Sequence, residues 1–150
     1  MAIYKTFTMK ISNSIIINRP TADVFAFFKN VENYPCFSTA FKKVKLLFGD
    51  KLQPGARLLK TVEFLGVEQN VEQEVVEFEL LKKIVFKNIS GPIRGTETLL
   101  FKKLDDNKTE LAIILDGEPE GFLKFGAGLL KRKADEQMQR DLLNLKGIME

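Results

Sequence analysis

Few residues in this chain could do chemistry, and the types it lacks narrow the choice first. Among 150 residues there is no histidine and one cysteine, Cys36. Without histidine the commonest metal ligand and the usual near-neutral acid and base are gone. Zinc sites and histidine-activated serine or cysteine nucleophiles are therefore excluded in their usual forms, and no metal is expected. Cys36 has neither a histidine nor a nearby cation to lower its pKa and reads as a small residue of a helical corner. Gly91-Pro92-Ile93-Arg94-Gly95 reads as a turn between strands, not as the strand-to-helix loop of a nucleotide site, and no cofactor is expected.

What remains is one carboxylate and a few amides. Thr96, Thr98 and Leu100 alternate with Glu97, Leu99 and Phe101, so Glu97 shares a face with Phe101. If that face points inward, burial would raise the carboxyl pKa and make Glu97 a weak candidate acid or base. If it points outward, Glu97 is an edge-strand glutamate paired with a lysine across the sheet. Asn13 shares a face with Ile11, Ile15 and Ile17, while Gln69, Val71, Gln73 and Val75 oppose Glu68, Asn70, Glu72 and Glu74. Three amides therefore turn inward, where each needs a backbone partner or a ligand's carbonyl or hydroxyl, unless a bulge resets the parity.

The elements that position these groups follow from periodicity. Residues 9–18 alternate with a period of two and predict a half-buried strand. Arg19-Pro20-Thr21 ends it, and Thr21 is placed to cap a short apolar helix from Ala22 to Phe28 that Asn30 stops. Val31-Glu32-Asn33-Tyr34-Pro35 leads into a second short helical piece, with Pro35 expected to push Tyr34 out of the helical region. Six strands follow, at 44–48, 56–65, 68–79, 82–89, 96–103 and 109–116, separated by turns that include Gly49-Asp50, Gly66 and Asp105-Asp106-Asn107. The short connections imply antiparallel neighbours, and seven strands against one helix imply a curved sheet.

From Gly121 to Met149 a stripe recurs at three- and four-residue steps: Leu123, Ala127, Leu130, Ala134, Met138, Leu142, Leu145 and Met149. It predicts one continuous helix on the order of 40 Å long. Its first half, apolar nearly all round, is expected to be buried on more than one side, with Gly126, Ala127 and Gly128 leaving either room or a kink. Residues around 126–134 should then face a cavity between helix and sheet, and Met138 to Met149 pack as solid core.

Composition sets the outer limits. A chain of this length with 45% hydrophobic and 29% charged residues is expected to form one domain over residues 1–150. The net charge of +3 is spread along the chain, and the basic Lys131, Arg132 and Lys133 are followed at once by Asp135 and Glu136, so nucleic acid is not expected as a partner. No run approaches the roughly 18 apolar residues of a membrane span and no secretory leader is legible, so no stable membrane insertion and a cytoplasmic location are expected.

A strand, two short helices, six antiparallel strands and a long terminal helix resemble the START-like, SRPBCC or helix-grip superfamily, in its polyketide cyclase/dehydrase-like branch. The likeness lies in Ile15-Ile16-Ile17-Asn18-Arg19-Pro20-Thr21-Ala22-Asp23-Val24-Phe25-Ala26-Phe27-Phe28, in Val31 to Pro35, and in the ending Leu142 to Glu150. The fold class it implies is α+β, a curved seven-stranded antiparallel sheet wrapped around a long C-terminal helix, with two short helices after the first strand. It also implies a cavity between sheet and helix for an apolar molecule such as a lipid, polyketide or quinone. Candidate walls are Phe28, Tyr34, Phe37 and Phe41 of the helical corner, Val71 and Phe86 of the strands, and Leu123, Ala127, Leu130 and Ala134 of the helix. Asn13 and Gln73 are the candidate polar contacts.

Three functions fit. One is a noncatalytic carrier of an apolar small molecule, as monomer or homodimer. The second is a cyclase, aromatase or dehydratase using Glu97, Asn13, Gln73 and Tyr34. The third is a chaperone of the coenzyme-Q-binding kind, suggested by Asn33-Tyr34-Pro35, although Cys36-Phe37-Ser38 departs from that pattern.

Overall fold

A computed structural model describes residues 8–150, except for the side chains of residues 122–124. The chain runs β1 (Met9–Ile17), α1 (Thr21–Lys29), a 3₁₀ turn (Val31–Asn33), α2 (Tyr34–Phe37), β2 (Phe41–Phe48), β3 (Arg57–Phe64), β4 (Val67–Glu79), β5 (Lys83–Asn88), β6 (Ile93–Asp105) and β7 (Lys108–Pro119). A 3₁₀ segment (Gly121–Gly126) then leads into α3 (Ala127–Met149). The strands form one antiparallel sheet in the order β1-β7-β6-β5-β4-β3-β2, so β1 and β2 are its edges and Glu97, on β6, is interior. This is the helix-grip architecture.

Alternation along the strands explains why one face is core. Met9, Ile11 and Ile17 of β1, Leu58 of β3, Val75 of β4, Ile84 and Phe86 of β5, Leu99 and Phe101 of β6, and Leu111 and Ile113 of β7 are all buried. The inward parity of Gln69, Val71, Gln73 and Val75 holds, and the β4–β5 register shifts only after Val75. Each buried large aliphatic or aromatic side chain contributes about 1.5–3 kcal/mol relative to exposure. The connection from β3 to β4 is a two-residue turn in which Leu65 (φ 53°) and Gly66 (φ 77°) are both left-handed, the backbone twist that tight hairpins favour. Gly95 and Gly117 face each other on β6 and β7, where an added Cβ would meet backbone atoms at 2.0 and 2.6 Å.

α1 buries Val24, Phe25 and Phe28, and Phe25 packs edge-to-face on Phe78 and Phe101 at centroid distances of 5.6 and 4.9 Å. Thr21 does not cap this helix. Pro20 holds the cap position, and the buried Thr21 hydroxyl instead shares a 2.9 Å hydrogen bond with Thr109 on β7. Tyr34 also departs from expectation, with helical φ and ψ of −60° and −40°. Pro35, at the start of α2, is where a missing N–H costs nothing, and the Tyr34 hydroxyl is tied down by a bond described below.

The terminal helix is shorter than its apolar stripe. The α-helix begins at Ala127, with Gly126 at φ −110° and ψ 25° and no side-chain cap, where glycines at 126 and 128 weaken helical propensity. At 23 residues α3 spans about 35 Å. The end of the 3₁₀ segment and the first turn of α3 are not buried on several sides: Phe125 is 94% exposed, Leu129 is 50% exposed, and Gly126 and Gly128 face open space. The far end is anchored. Lys146 Nζ donates to the Ile16 carbonyl and Arg19 Nη1 to the Met149 carbonyl, each at 2.7 Å, the latter placing a cation at the negative end of the helix dipole.

Candidate functional site

Sheet, helical corner and α3 enclose a cavity of about 420 Å³. The volume falls within the range of small-molecule pockets, about 300–1,000 Å³. Most of its wall is apolar: Phe28, Phe37 and Phe41 from the corner, Leu99 and Ile113 from the sheet, and Leu130 and Met138 from α3. Leu65 and Val67, both about half exposed, also line it, so the cavity opens at the β3–β4 turn.

The structure sorts the candidate residues. Phe28, Tyr34, Phe37, Phe41, Val71, Leu130 and Ala134 line the cavity, and so does Glu97. Asn13 does not: its amide donates to Asp135 Oδ1 at 2.7 Å and to Met138 Sδ at 3.3 Å, which braces β1 against α3. Gln73 and Phe86 are buried in the layer behind the surface, and Ala127 is buried outside the cavity. Leu123 lies outside the described residues. The division expected along the terminal helix is displaced toward its C-terminus. The residues of α3 at the cavity are Leu130, Ala134, Gln137, Met138 and Asp141, and solid packing begins only at Leu142.

Glu97 is therefore neither at an edge nor outward, although it does pair with a lysine across the sheet. Its partner is Lys60 of β3, with Nζ 3.4 Å from Oε2 and side-chain exposures of 2% and 15%. That distance is long for a charge-assisted hydrogen bond, so rings share in holding the ammonium. Nζ lies 4.9, 5.1 and 5.4 Å from the ring centroids of Phe41, Phe86 and Tyr34, within the range of cation–π attraction. Lys60 escaped the sequence reading because a lysine in a strand reads as solvated. The available signal was its register: Ala56, Leu58, Val62 and Phe64 share its face at steps of two.

Tyr34 is fully buried, and its hydroxyl donates to the Phe28 carbonyl at 2.8 Å. Burial, and secondarily the negative charge of Glu97, hold its phenol pKa well above the usual value. At another part of the wall, Asp141 accepts hydrogen bonds from Ser38 Oγ at 2.6 Å and from Gln137 Nε2 at 2.8 Å. Burial raises its carboxyl pKa against the opposing pull of those two bonds and of Arg140. Sequence reasoning missed this group, because an aspartate in the charged half of an amphipathic helix reads as solvent-facing. Cys36 is exposed on α2. Among the described residues, no helix is long and apolar enough to cross a membrane.

An antiparallel seven-stranded sheet gripping a terminal helix over an apolar cavity defines a START-like protein. More narrowly, the chain belongs to the polyketide cyclase/dehydrase and lipid transport family, whose model matches residues 8–150. A sequence comparison with curated proteins returns no match. Among solved structures, a START superfamily protein from Mycobacterium smegmatis superposes with a TM-score of 0.80 at 17% identity, covering 93% of this chain and 96% of that one. The Zhui aromatase/cyclase from Streptomyces sp. R1128 also gives 0.80, at 14% identity over 95% and 94% of the two chains. Ginseng major latex-like protein 151 from Panax ginseng gives 0.64 at 14% identity, over 89% and 97%. At these identities the likeness is one of fold.

Proposed function

We propose that this protein is a container for an apolar small molecule, binding or carrying it in the cavity between sheet and α3 without transforming it. The observation that supports this best is the wall itself: about 420 Å³ enclosed by mostly apolar side chains, with an opening at the β3–β4 turn. The residues proposed to touch the occupant are Phe28, Phe37, Phe41, Val71, Leu130 and Ala134. Several of its polar groups are engaged within the protein: Tyr34 with the Phe28 carbonyl and Ser38 with Asp141 by hydrogen bonds, and Glu97 with Lys60 by a longer ion-pair contact. Groups locked in this way hold a shape well, whereas acid–base catalysis needs one within reach of a substrate proton. Native mass spectrometry of protein purified from its own source, followed by extraction, tests the reading: a retained lipid, polyketide or quinone supports it, and a protein that never retains or takes up an apolar molecule refutes it.

A second reading has one observation in its favour. Glu97 is a largely buried carboxylate on the cavity wall, where a cyclase or dehydratase would keep an acid or base. If an activity is found, its survival in Glu97→Gln removes that role.

A further inference from the structure

We propose that the cavity selects amphipathic molecules whose polar end donates hydrogen bonds, as a hydroxyl, phenol or amine does, and discriminates against molecules that end in a free carboxylate. This rests on the container reading and adds the chemistry of the occupant's head group.

The argument is a count of donors and acceptors at the wall. Two carboxylates, Glu97 and Asp141, line the cavity, and among the described residues no lysine or arginine does. Lys60, the buried cation, is set back from the surface, held by Glu97 and enclosed by the faces of Tyr34, Phe41 and Phe86. Apart from the amides of Gln69 and Asn88, the side-chain donors at the wall that could have met an anion are already committed. The Tyr34 hydroxyl is given to the Phe28 carbonyl, the Ser38 hydroxyl to Asp141, and the Gln137 amide to Asp141 and Thr39.

Acceptor capacity is in surplus. The Glu97 oxygens have only long contacts to Lys60, at 3.4 and 3.5 Å, which leaves lone pairs open to a shorter bond. Behind the same part of the wall, the buried Gln73 Oε1 has no hydrogen-bond partner. Its orientation is set by a relay: Gln73 Nε2 donates to Asn88 Oδ1 at 2.8 Å, and Asn88 Nδ2 donates to the Ile93 carbonyl at 3.0 Å. Turning the Gln73 amide over would set two oxygens against each other. The unfilled atom is therefore an acceptor, one residue behind Asn88, which does line the cavity. The amides of Gln69 and Asn88 suit a neutral carbonyl but supply no compensating charge.

The test uses the full chain loaded with N-phenyl-1-naphthylamine, a neutral fluorescent probe, and displaced near neutral pH by dodecanol, dodecylamine and dodecanoate. These share a chain and differ at the head. Dodecanol and dodecylamine should displace the probe at concentrations about tenfold or more below dodecanoate, the scale of one hydrogen bond to a charged group. Glu97→Gln alone would leave Lys60 buried without its partner and could unfold the chain. The variant of choice is therefore the double Lys60→Met, Glu97→Gln, in which the gap should shrink severalfold. If the probe binds and dodecanoate competes as well as dodecanol, or the gap persists unchanged in the double variant, the head-group inference is wrong and the container reading stands. If neither the probe nor any of the three amphiphiles binds, the container reading fails and this inference fails with it.

Discussion

Replacing Glu97 by glutamine removes the carboxylate that, among the described residues, pairs with the Lys60 ammonium, which is 2% exposed and faces rings on three sides. Breaking one side of a buried ion pair costs about 3–5 kcal/mol, because the remaining charge keeps its desolvation penalty and loses its compensation. Two features pull the value to the lower end. The contact is long, at 3.4 Å, and the ring faces continue to attract the cation, by up to about 2 kcal/mol in a desolvated setting. The expected loss for Glu97→Gln is therefore about 3 kcal/mol. Lys60→Met should cost less, about 1–2 kcal/mol, since Glu97 is 15% exposed at the cavity and remains within reach of water. The double variant removes both charges and should lose about 1 kcal/mol or less relative to wild type. Urea unfolding of the four proteins, with a common slope, gives the cycle and a coupling of about 3–5 kcal/mol. Additive single effects, each under about 1 kcal/mol, would refute the claim that the pair is buried and mutually dependent.

Other consequences are as direct. Tyr34→Phe leaves the Phe28 carbonyl without its donor and should cost about 1–3 kcal/mol in the same assay. Because the folded phenol pKa lies above the unfolded one, the wild type should also lose stability as pH rises past about 10, where only the unfolded chain sheds that proton, and Tyr34→Phe should flatten that loss. Asp141, also raised, gives the same sign at lower pH: stability falls as pH rises from about 4 through the folded value, and Asp141→Asn should remove that slope in unfolding followed against pH. Phe37→Ala deletes a buried ring that packs on Phe28 and Phe41, and should cost about 3–5 kcal/mol and weaken uptake of an apolar fluorescent probe. Unchanged probe affinity in a folded Phe37→Ala protein would remove that ring from the binding wall.

The fold was legible because its signals are local and repeated. Period-two alternation placed all seven strands to within a few residues, and the Gly- and Asn-containing turns separated them where the structure does. Most departures involve a contact between distant segments. Thr21 has the sequence of a cap, and its partner Thr109, 88 residues away, cannot be seen from its neighbourhood. Asn13, for which the sequence leaves a backbone partner or a ligand open, gives its amide hydrogen to Asp135 on the far helix. Lys60 and Asp141 carry charges that a sequence reading places in solvent, and only the folded chain shows that one meets Glu97 across the sheet and the other Ser38 between α3 and the helical corner. The apolar stripe from Gly121 correctly announced a helix but not its start, which the glycines delay to Ala127.

The central claim, a cavity that takes up an apolar molecule, is tested most directly by titrating the protein with N-phenyl-1-naphthylamine and repeating the titration with Ala134→Trp. Ala134 lines the cavity from α3, so an indole there would fill the space it borders. The account predicts saturable one-to-one binding to the wild type and at least about a tenfold loss in the folded variant, the effect of denying an apolar ligand part of its burial. Equal affinity in the two proteins, or no saturable binding to the wild type, would contradict it.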